Sequence, residues 1–188
     1  MPFPVVHKGI TLTEIPGRIA VFFEFGNCHN YCQGCHSTEL WDTEDTHRFP
    51  NMYMLDIVNY VKEQYEKGAN AVVFLGGLNN TYVSTVEFHR LCKKLYDMNV
   101  DIGLYDGCQL AELNDIIPIF LDYNYYEGGN PTCMLKWIKI GPYISEKGGL
   151  DNPGTNQKFF EQSDSTPGYW SDMTEKYFQK GNKNEDDT

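Results

Sequence analysis

Short apolar runs alternate along this chain with segments in which apolar residues recur at helical spacing. The runs that predict strands span 18–25, 71–75, 100–105, 116–121 and 134–140, the fourth weakened by Pro118. Helices are predicted around 54–65 and 88–95, with Gly68 placed to end the first, and a brief helix around 110–113. Such alternation is typical of α/β folds in which right-handed crossovers join parallel strands. We therefore expect an α/β fold with a mostly parallel sheet.

The chemically distinctive sequences all follow predicted strands. A group of cysteines follows the first strand, Gly76-Gly77 the second, Tyr105-Asp106-Gly107 the third and Gly141-Pro142 a later one. In parallel α/β folds the working site lies at the carboxyl ends of the strands. We therefore expect these segments to meet at one end of the sheet and to form the functional site there.

Length and composition predict one domain. The chain has 188 residues, and with roughly 150 residues as a starting expectation for a domain, one compact unit is favoured. From about Gly148 the chain becomes polar and rich in Gly, Asn and Pro, and it ends with the acidic sequence GNKNEDDT. Such a tail cannot bury enough apolar surface to fold. We expect a single domain over 1–180 and a disordered acidic tail over 181–188.

The charge balance argues against several classes of partner. The formal net charge is −11 at pH 7, whereas binding to nucleic acid or to an anionic membrane requires a basic field. No apolar run approaches the roughly 20 residues of a membrane-spanning helix, and the opening residues lack the apolar core of a signal peptide. We expect no nucleic-acid partner, no membrane association and a cytoplasmic location.

Three of the six cysteines are crowded into eight residues, with the spacing C-x3-C-x2-C. The crowded ones are Cys28, Cys32 and Cys35, and the scattered ones are Cys92, Cys108 and Cys133. A disulfide framework would be spread along a short secreted chain, so the crowded thiols favour a metal site. The scattered thiols read as core residues, except that Cys108 follows a strand end and could reach the site.

The spacing leaves two kinds of metal site open. A compact loop can wrap three thiolates around one side of a 4Fe–4S cluster, and a cluster held by three cysteines leaves one iron open to a substrate. His29 and His36 supply the alternative, because three cysteines and one histidine also make a closed structural zinc site.

Several strings resemble a known family. The segment IPGRIAVFFEFGNCHNYCQGCHSTELW, with its cysteine loop after the first strand, resembles the radical S-adenosylmethionine enzymes. Within that superfamily it is similar to the activating proteins of anaerobic ribonucleoside-triphosphate reductases, which are glycyl radical enzyme activases. The strings YDGCQLAEL, WIKIGPYISEKGGLDNPGTNQKFF and WSDMTEKYF match the same subgroup, so the resemblance covers roughly residues 9 to 178.

The resemblance implies an oxidoreductase with two cofactors, a 4Fe–4S cluster and S-adenosyl-L-methionine. Cys28, Cys32 and Cys35 would hold three irons, and the fourth would bind the amino and carboxylate groups of S-adenosylmethionine. Reductive cleavage would give methionine and a 5′-deoxyadenosyl radical, which abstracts hydrogen from a glycine of the partner reductase. The implied partners are the glycyl radical subunit of that reductase and an electron donor such as flavodoxin or ferredoxin. No protein acid, base or nucleophile is required, so no catalytic side chain is expected.

The resemblance also assigns the cofactor contacts. Gly34 and His36 match family positions that lie against the adenine, and Gly76-Gly77 matches the glycine pair whose backbone approaches the methionyl amine. The family usually follows this pair with Asp or Glu, whereas this chain has Leu78. A carboxylate that could accept from the amine is therefore missing at that position.

Together these features favour an α/β partial (β/α) barrel that activates anaerobic ribonucleotide reductase. The alternatives are an activase of another glycyl radical enzyme, such as pyruvate formate-lyase, and a non-catalytic zinc- or cluster-binding module, for which Leu78 is the best support. We expect the segment Gly141–Phe160 and the adjacent cysteine loop to dock the partner, rather than the segment to be an ordinary connection along the sheet edge. The candidate anchors are Tyr143, Leu150, Phe159 and Phe160.

Overall fold

The computed structural model describes residues 2–42, 50–107, 113–122, 132–164 and 168–179 of the chain. The strands are β1 (Phe3–Thr11), β2 (Ala20–Phe25), β3 (Asn51–Met52), β4 (Ala71–Leu75), β5 (Ile102–Asp106), β6 (Leu121–Asp122), β7 (Thr132–Cys133), β8 (Trp137–Ile140), β9 (Lys158–Gln162) and β10 (Trp170–Asp172). The α-helices are α1 (Met54–Glu66), α2 (Thr85–Tyr96), α3 (Leu113–Ile116) and α4 (Thr174–Phe178), and the 3-10 helices are Thr38–Leu40 and Ile117–Phe120. The predicted tail over 181–188 and Cys108 lie outside the described residues.

Eight of the strands form one mixed sheet in the order β10-β9-β8-β5-β4-β2-β1-β3. The four central strands β2, β4, β5 and β8 are parallel, and the strands on both flanks are antiparallel. The α/β fold is therefore confirmed, but the sheet is mixed rather than mostly parallel. Short connections, such as those from β1 to β2 and from β9 to β10, allow antiparallel pairing, whereas a parallel pair needs a long crossover. Within the described residues the sheet is open, with β3 and β10 at its edges.

The four parallel strands end level with one another. Glu24 pairs with Leu75, Leu75 with Tyr105, and Tyr105 with Lys139. Cross-strand neighbours point to the same face of a sheet, so these four side chains form one row near the carboxyl ends of the strands.

One face of the sheet is covered by α1 and α2. The buried residues of both helices belong to a single apolar core with alternate residues of β2, β4 and β5. Phe88 of α2 packs edge-on against Phe74 of β4, with 5.1 Å between the ring centroids. The helix α1 ends just before Gly68, which adopts φ +105° as the sequence predicted for a stop. In the described part of the chain, no helix is long and apolar enough to cross a membrane.

The other face of the sheet carries a second, smaller core. It contains Ile15 from the β1–β2 connection, Val73, Trp137 and Phe159, with Leu150 and the residues of α4 packed against it. The chain therefore buries β4 on both faces, which explains its continuous apolar sequence AVVFL. Both crossover helices lie on the first face, and the C-terminal segment closes the second.

The predicted strand over 116–121 is wrong. The segment forms the end of α3 and a 3-10 helix, Ile117–Phe120, with Pro118 in its first turn. Proline lacks the N–H that a sheet ladder needs, and its fixed φ suits the first turn of a helix. Only Leu121–Asp122 is extended, in a two-stranded pair with Thr132–Cys133.

Candidate metal centre

A cavity of about 800 Å³ opens at the carboxyl ends of the parallel strands. The row formed by Glu24, Leu75, Tyr105 and Lys139 lines it, as does part of the cysteine loop. The expectation that the distinctive sequences meet at this end is therefore confirmed for the segments after β2, β4 and β5. Gly141 and Pro142 follow β8 at the same end of the sheet and line an adjoining outer groove of about 640 Å³, which shares Asn30 and Tyr143 with the cavity.

The three cysteines of the loop lie within electrostatic reach of one another, because Cys32 and Cys35 both raise the pKa of the Cys28 thiol. Cys28, Cys32 and Cys35 are free and partly exposed. Cys28 and Cys35 line the cavity, and Cys32 lines the outer groove. Tyr31 and Gly34 adopt left-handed backbone angles, φ 45° and 74°, and these reversals coil the loop back on itself.

The main chain of Cys28 is held in a small sheet of its own. Its N–H donates to Leu40 O at 2.8 Å, and its carbonyl accepts from Asp42 N at 2.9 Å. It forms isolated bridges with Trp41 on one side and Asn80 on the other. The first thiol therefore has a position fixed by two distant segments of the chain.

The donor set fits a cluster. The Ser37 N–H donates to Cys35 Sγ at 3.4 Å, and hydrogen bonds of this kind to cysteine sulfur tune the potential of iron–sulfur clusters. Burial raises the pKa of the Cys28 thiol, partly offset by a hydrogen bond from the backbone of Asn30, while Cys32, Cys35 and Asp106 raise it further. Binding of a metal ion by Cys28 would therefore release a proton.

The geometry weighs against a single-ion zinc site. Across the described residues, no three His, Cys, Asp or Glu side chains converge closely enough to hold one metal ion. A 4Fe–4S cluster makes no such demand, because each thiolate binds a different iron and the cluster itself separates them. His29 is engaged elsewhere, since its Nε2 lies 2.6 Å from Asp42 Oδ2 and contacts the Thr81 hydroxyl. His36 lines the cavity with its ring 5.2 Å from that of Tyr143.

The glycines singled out by sequence occupy different surroundings. Gly76 lines the cavity at φ +88°. Gly77 has φ +137°, and a Cβ there would lie 2.5 Å from Phe88 Cε1, so core packing requires glycine at this position. A Cβ on Gly34 would meet Ser145 Cβ at 3.1 Å, and its φ of +74° disfavours other residues. Gly34 and Gly77 therefore face neighbouring protein and do not line the cavity.

Charged side chains gather in the cavity wall, including Glu14 and Glu24, which were not identified from the sequence. Glu14, Glu24 and Asp106 line it together with Lys139. Burial lowers the pKa of Lys139 to about 8, opposed by the nearby charges of Glu14 and Asp106. Burial likewise raises the pKa of Glu14, with Lys139 acting in the opposite direction. Asp106 belongs to the strand-end segment that was expected from the sequence to lie at the site, and its position at the end of β5 places it in the cavity wall.

Two residues of the predicted docking segment, Leu150 and Phe159, lie in different surroundings. Phe159 is fully buried in the second core, so its expected role as an exposed anchor is wrong: it alternates with outward residues on β9 and packs on Tyr105 and Phe178. Leu150 is partly exposed and lines the cavity. Cys92 and Cys133 are buried core residues, as predicted.

Comparison with known proteins supports the assignment of the loop. Residues 16–124 match the family model of the 4Fe-4S single cluster domain, which is more than half of the 188-residue chain. No curated protein and no solved structure gives a significant match. The matched range contains all three loop cysteines and the glycine pair after β4. The chain therefore belongs to the family of 4Fe-4S single cluster domains.

Proposed function

We propose that this chain is a radical S-adenosylmethionine activase of anaerobic ribonucleoside-triphosphate reductase. One observation carries the proposal: the loop with three free thiols opens onto a cavity of about 800 Å³ at the ends of four parallel strands. A pocket of this size suits a small organic cofactor. Three thiolates leave one iron of the cluster open, which is what direct binding of a cofactor requires.

The charge of the cavity supports S-adenosylmethionine as that cofactor. The ligand carries a sulfonium and an ammonium group, both cationic, and the wall contributes the carboxylic acids Glu14, Glu24, Asp106 and Asp151. Lys139 is the cation among them and is suited to a carboxylate. The wall therefore offers partners for each charged group of the methionyl moiety.

Asp106 places a carboxylate beside Leu78, where an acidic residue after the glycine pair is missing. The Leu78 N–H donates to Asp106 Oδ2 at 3.2 Å, so a carboxylate from the next strand stands beside the position where the family usually carries one. Asp106 is buried and lines the cavity. We include it in the proposal as the group that accepts from the methionyl amine, alongside the Gly76 backbone.

The remaining assignments follow the family pattern. Cys28, Cys32 and Cys35 would hold the cluster, and His36, beside Tyr143, would contact the adenine. The cluster, when bound, supplies the electron that cleaves the sulfonium and yields the 5′-deoxyadenosyl radical. The protein positions the cofactor and keeps water from the radical until a glycine of the reductase approaches.

The fold is compatible with a partial (β/α) barrel, which also belongs to the proposal. The central strands follow the monotonic order β2-β4-β5-β8, and both crossover helices pack in the same core on one face. Successive crossovers on one side are characteristic of barrels, whereas doubly wound sheets place helices on both faces.

Anaerobic reconstitution tests the proposal. We expect about four irons and four sulfides per chain, cleavage of S-adenosylmethionine to 5′-deoxyadenosine under reduction, and a glycyl radical on anaerobic ribonucleotide reductase by EPR. Pyruvate formate-lyase is the matched alternative substrate. A radical only on that enzyme would transfer the activity to another glycyl radical system, and one zinc per chain with no cofactor cleavage would refute the activase function.

A further inference from the structure

Three consecutive residues shortly after Gly76-Gly77 hydrogen-bond to the cysteine loop or to residues that flank it. They are Asn79, Asn80 and Thr81, and we call them the asparagine clamp. The Asn79 carbonyl accepts from His29 N at 3.1 Å, and its side-chain amide donates to Asn30. The Thr81 N–H donates to Asn27 O at 2.9 Å. The Thr81 hydroxyl lies 3.0 Å from Asp42 Oδ2.

Asn80 is the central member of the clamp. Its Nδ2 donates to the carbonyls of Phe25 and Gly26, each at 3.0 Å, and its Oδ1 accepts from Gly77 N at 2.8 Å. The side chain is buried at 7% exposure, and every bond goes to main chain. One amide therefore joins the end of β2, where the cysteine loop begins, to the glycine turn after β4.

These bonds connect the two segments that a cluster and its cofactor must both touch. Cys28 lies two residues after Gly26 and pairs with Asn80 as an isolated bridge. The turn at Gly76 lines the cavity into which Cys28 and Cys35 face. A shift of the Asn80 side chain would loosen the end of β2 from the glycine turn, because this one amide bonds to the main chain of both.

We infer that Asn80 is a positioning residue for the cluster, and that the clamp fixes the cysteine loop, which would hold the cluster, relative to the glycine turn. The part of this inference that concerns S-adenosylmethionine rests on the proposed function. The part that concerns the cluster needs only membership of the 4Fe-4S single cluster domain family. Groups that orient metal ligands from behind typically affect metal affinity or activity by roughly 10- to 100-fold. The side chains of Asn79 and Asn80 make these contacts through neutral amides, next to Leu78, where the activases that the sequence resembles usually carry an acidic residue.

The test compares Asn80→Ala with Asn70→Ala. Asn70 joins the same two strands at their opposite end, where its Oδ1 accepts from Ile19 N at 3.0 Å. We expect Asn80→Ala to take up a cluster whose reduced EPR spectrum is altered, and to bind S-adenosylmethionine roughly 10- to 100-fold more weakly by titration of that signal. Asn70→Ala should keep the wild-type spectrum and affinity, whatever its melting temperature.

Different results would overturn the positioning role of Asn80 and the proposed function. A wild-type EPR spectrum and affinity in Asn80→Ala, or equal losses in Asn70→Ala, would overturn the inference. If Asn80→Ala does not fold, Thr81→Val decides, since it removes only the hydroxyl and lies outside the cavity: an unaltered spectrum and affinity would then overturn the clamp. If the unmodified protein holds a cluster but binds no S-adenosylmethionine, the proposed function fails, and the cluster spectrum of Asn80→Ala still tests the positioning role.

Discussion

The Leu78 N–H donates to the Asp106 carboxylate, with 3.2 Å between Leu78 N and Asp106 Oδ2. Leu78 lies three residues after the end of β4, and Asp106 is the last residue of the neighbouring parallel strand β5. A carboxylate that the sequence lacks at position 78 is therefore supplied to the same place from the next strand. Leu78 at this position therefore does not leave the cavity wall without a carboxylate.

We predict that Asp106→Asn weakens S-adenosylmethionine binding about tenfold or more, because a hydrogen bond to a charged group is worth about 1.5–3 kcal/mol. Titration of the reconstituted cluster's EPR signal measures the affinity. Asp101→Asn is the matched control, since Asp101 stands at the opposite end of the same strand, near Arg18. Equal affinities of Asp106→Asn and the unmodified protein would remove Asp106 from the cofactor site.

Leu78→Asp should not tighten cofactor binding. Leu78 packs against the first core, and its N–H already bonds to Asp106, so a new carboxylate would lose apolar contact and face a like charge. We expect a lower free energy of unfolding and unchanged or weaker cofactor affinity, measured by denaturant unfolding and by titration. Tighter binding in this variant would show that the wall still lacks an acidic group.

Replacement of any loop cysteine should abolish the cluster. Cys28→Ala, Cys32→Ala and Cys35→Ala are each expected to lose the 4Fe–4S absorption after reconstitution. The loop supplies three thiolates, and each variant leaves only two to hold the cluster. Cys92→Ala and Cys133→Ala should retain it, since both thiols are buried in the core. A full complement of iron and sulfide in Cys32→Ala would contradict the ligand assignment.

Phe159→Ala and Leu150→Ala should have different effects, because Phe159 packs in the core and Leu150 is the proposed contact to the partner. Phe159 is fully buried, and its truncation should cost roughly 3–5 kcal/mol of unfolding free energy. Leu150 is partly exposed and lines the cavity, so Leu150→Ala should lower glycyl radical formation on the reductase more than it lowers partner-independent cofactor cleavage. Radical formation at the unmodified rate in Leu150→Ala would leave the segment as an ordinary connection.

Lys139 should make stability depend on pH. Burial lowers its pKa to about 8 from an ordinary value of 10.5. Between these values the unfolded chain binds more protons than the folded chain, so this residue's contribution raises stability as the pH increases across the interval. Anaerobic denaturant unfolding of Lys139→Met should lack this contribution, and pH profiles that run parallel in the two proteins would contradict it.

The sequence by itself determined the central strands, both long helices and the cysteine loop. Apolar periodicity placed α1 and α2, and the continuous run AVVFL placed β4, because these elements bury the faces that carry the pattern. The spacing of Cys28, Cys32 and Cys35 indicated a metal site, since crowded thiols have few other uses in such a chain. These features are local, and local patterns can be read from the chain.

Tertiary structure alone decided what depends on contacts between distant segments. The flanking strand β1 has several exposed or half-exposed positions, and its pairing shows only when β2 lies beside it. Gly77 is glycine because Phe88 packs against it, whereas the sequence suggested room for a cofactor. Asn80 reaches Phe25 because parallel pairing brings the ends of β2 and β4 together. Each outcome depends on residues far apart in the chain, and only packing of the folded sheet brings them into contact.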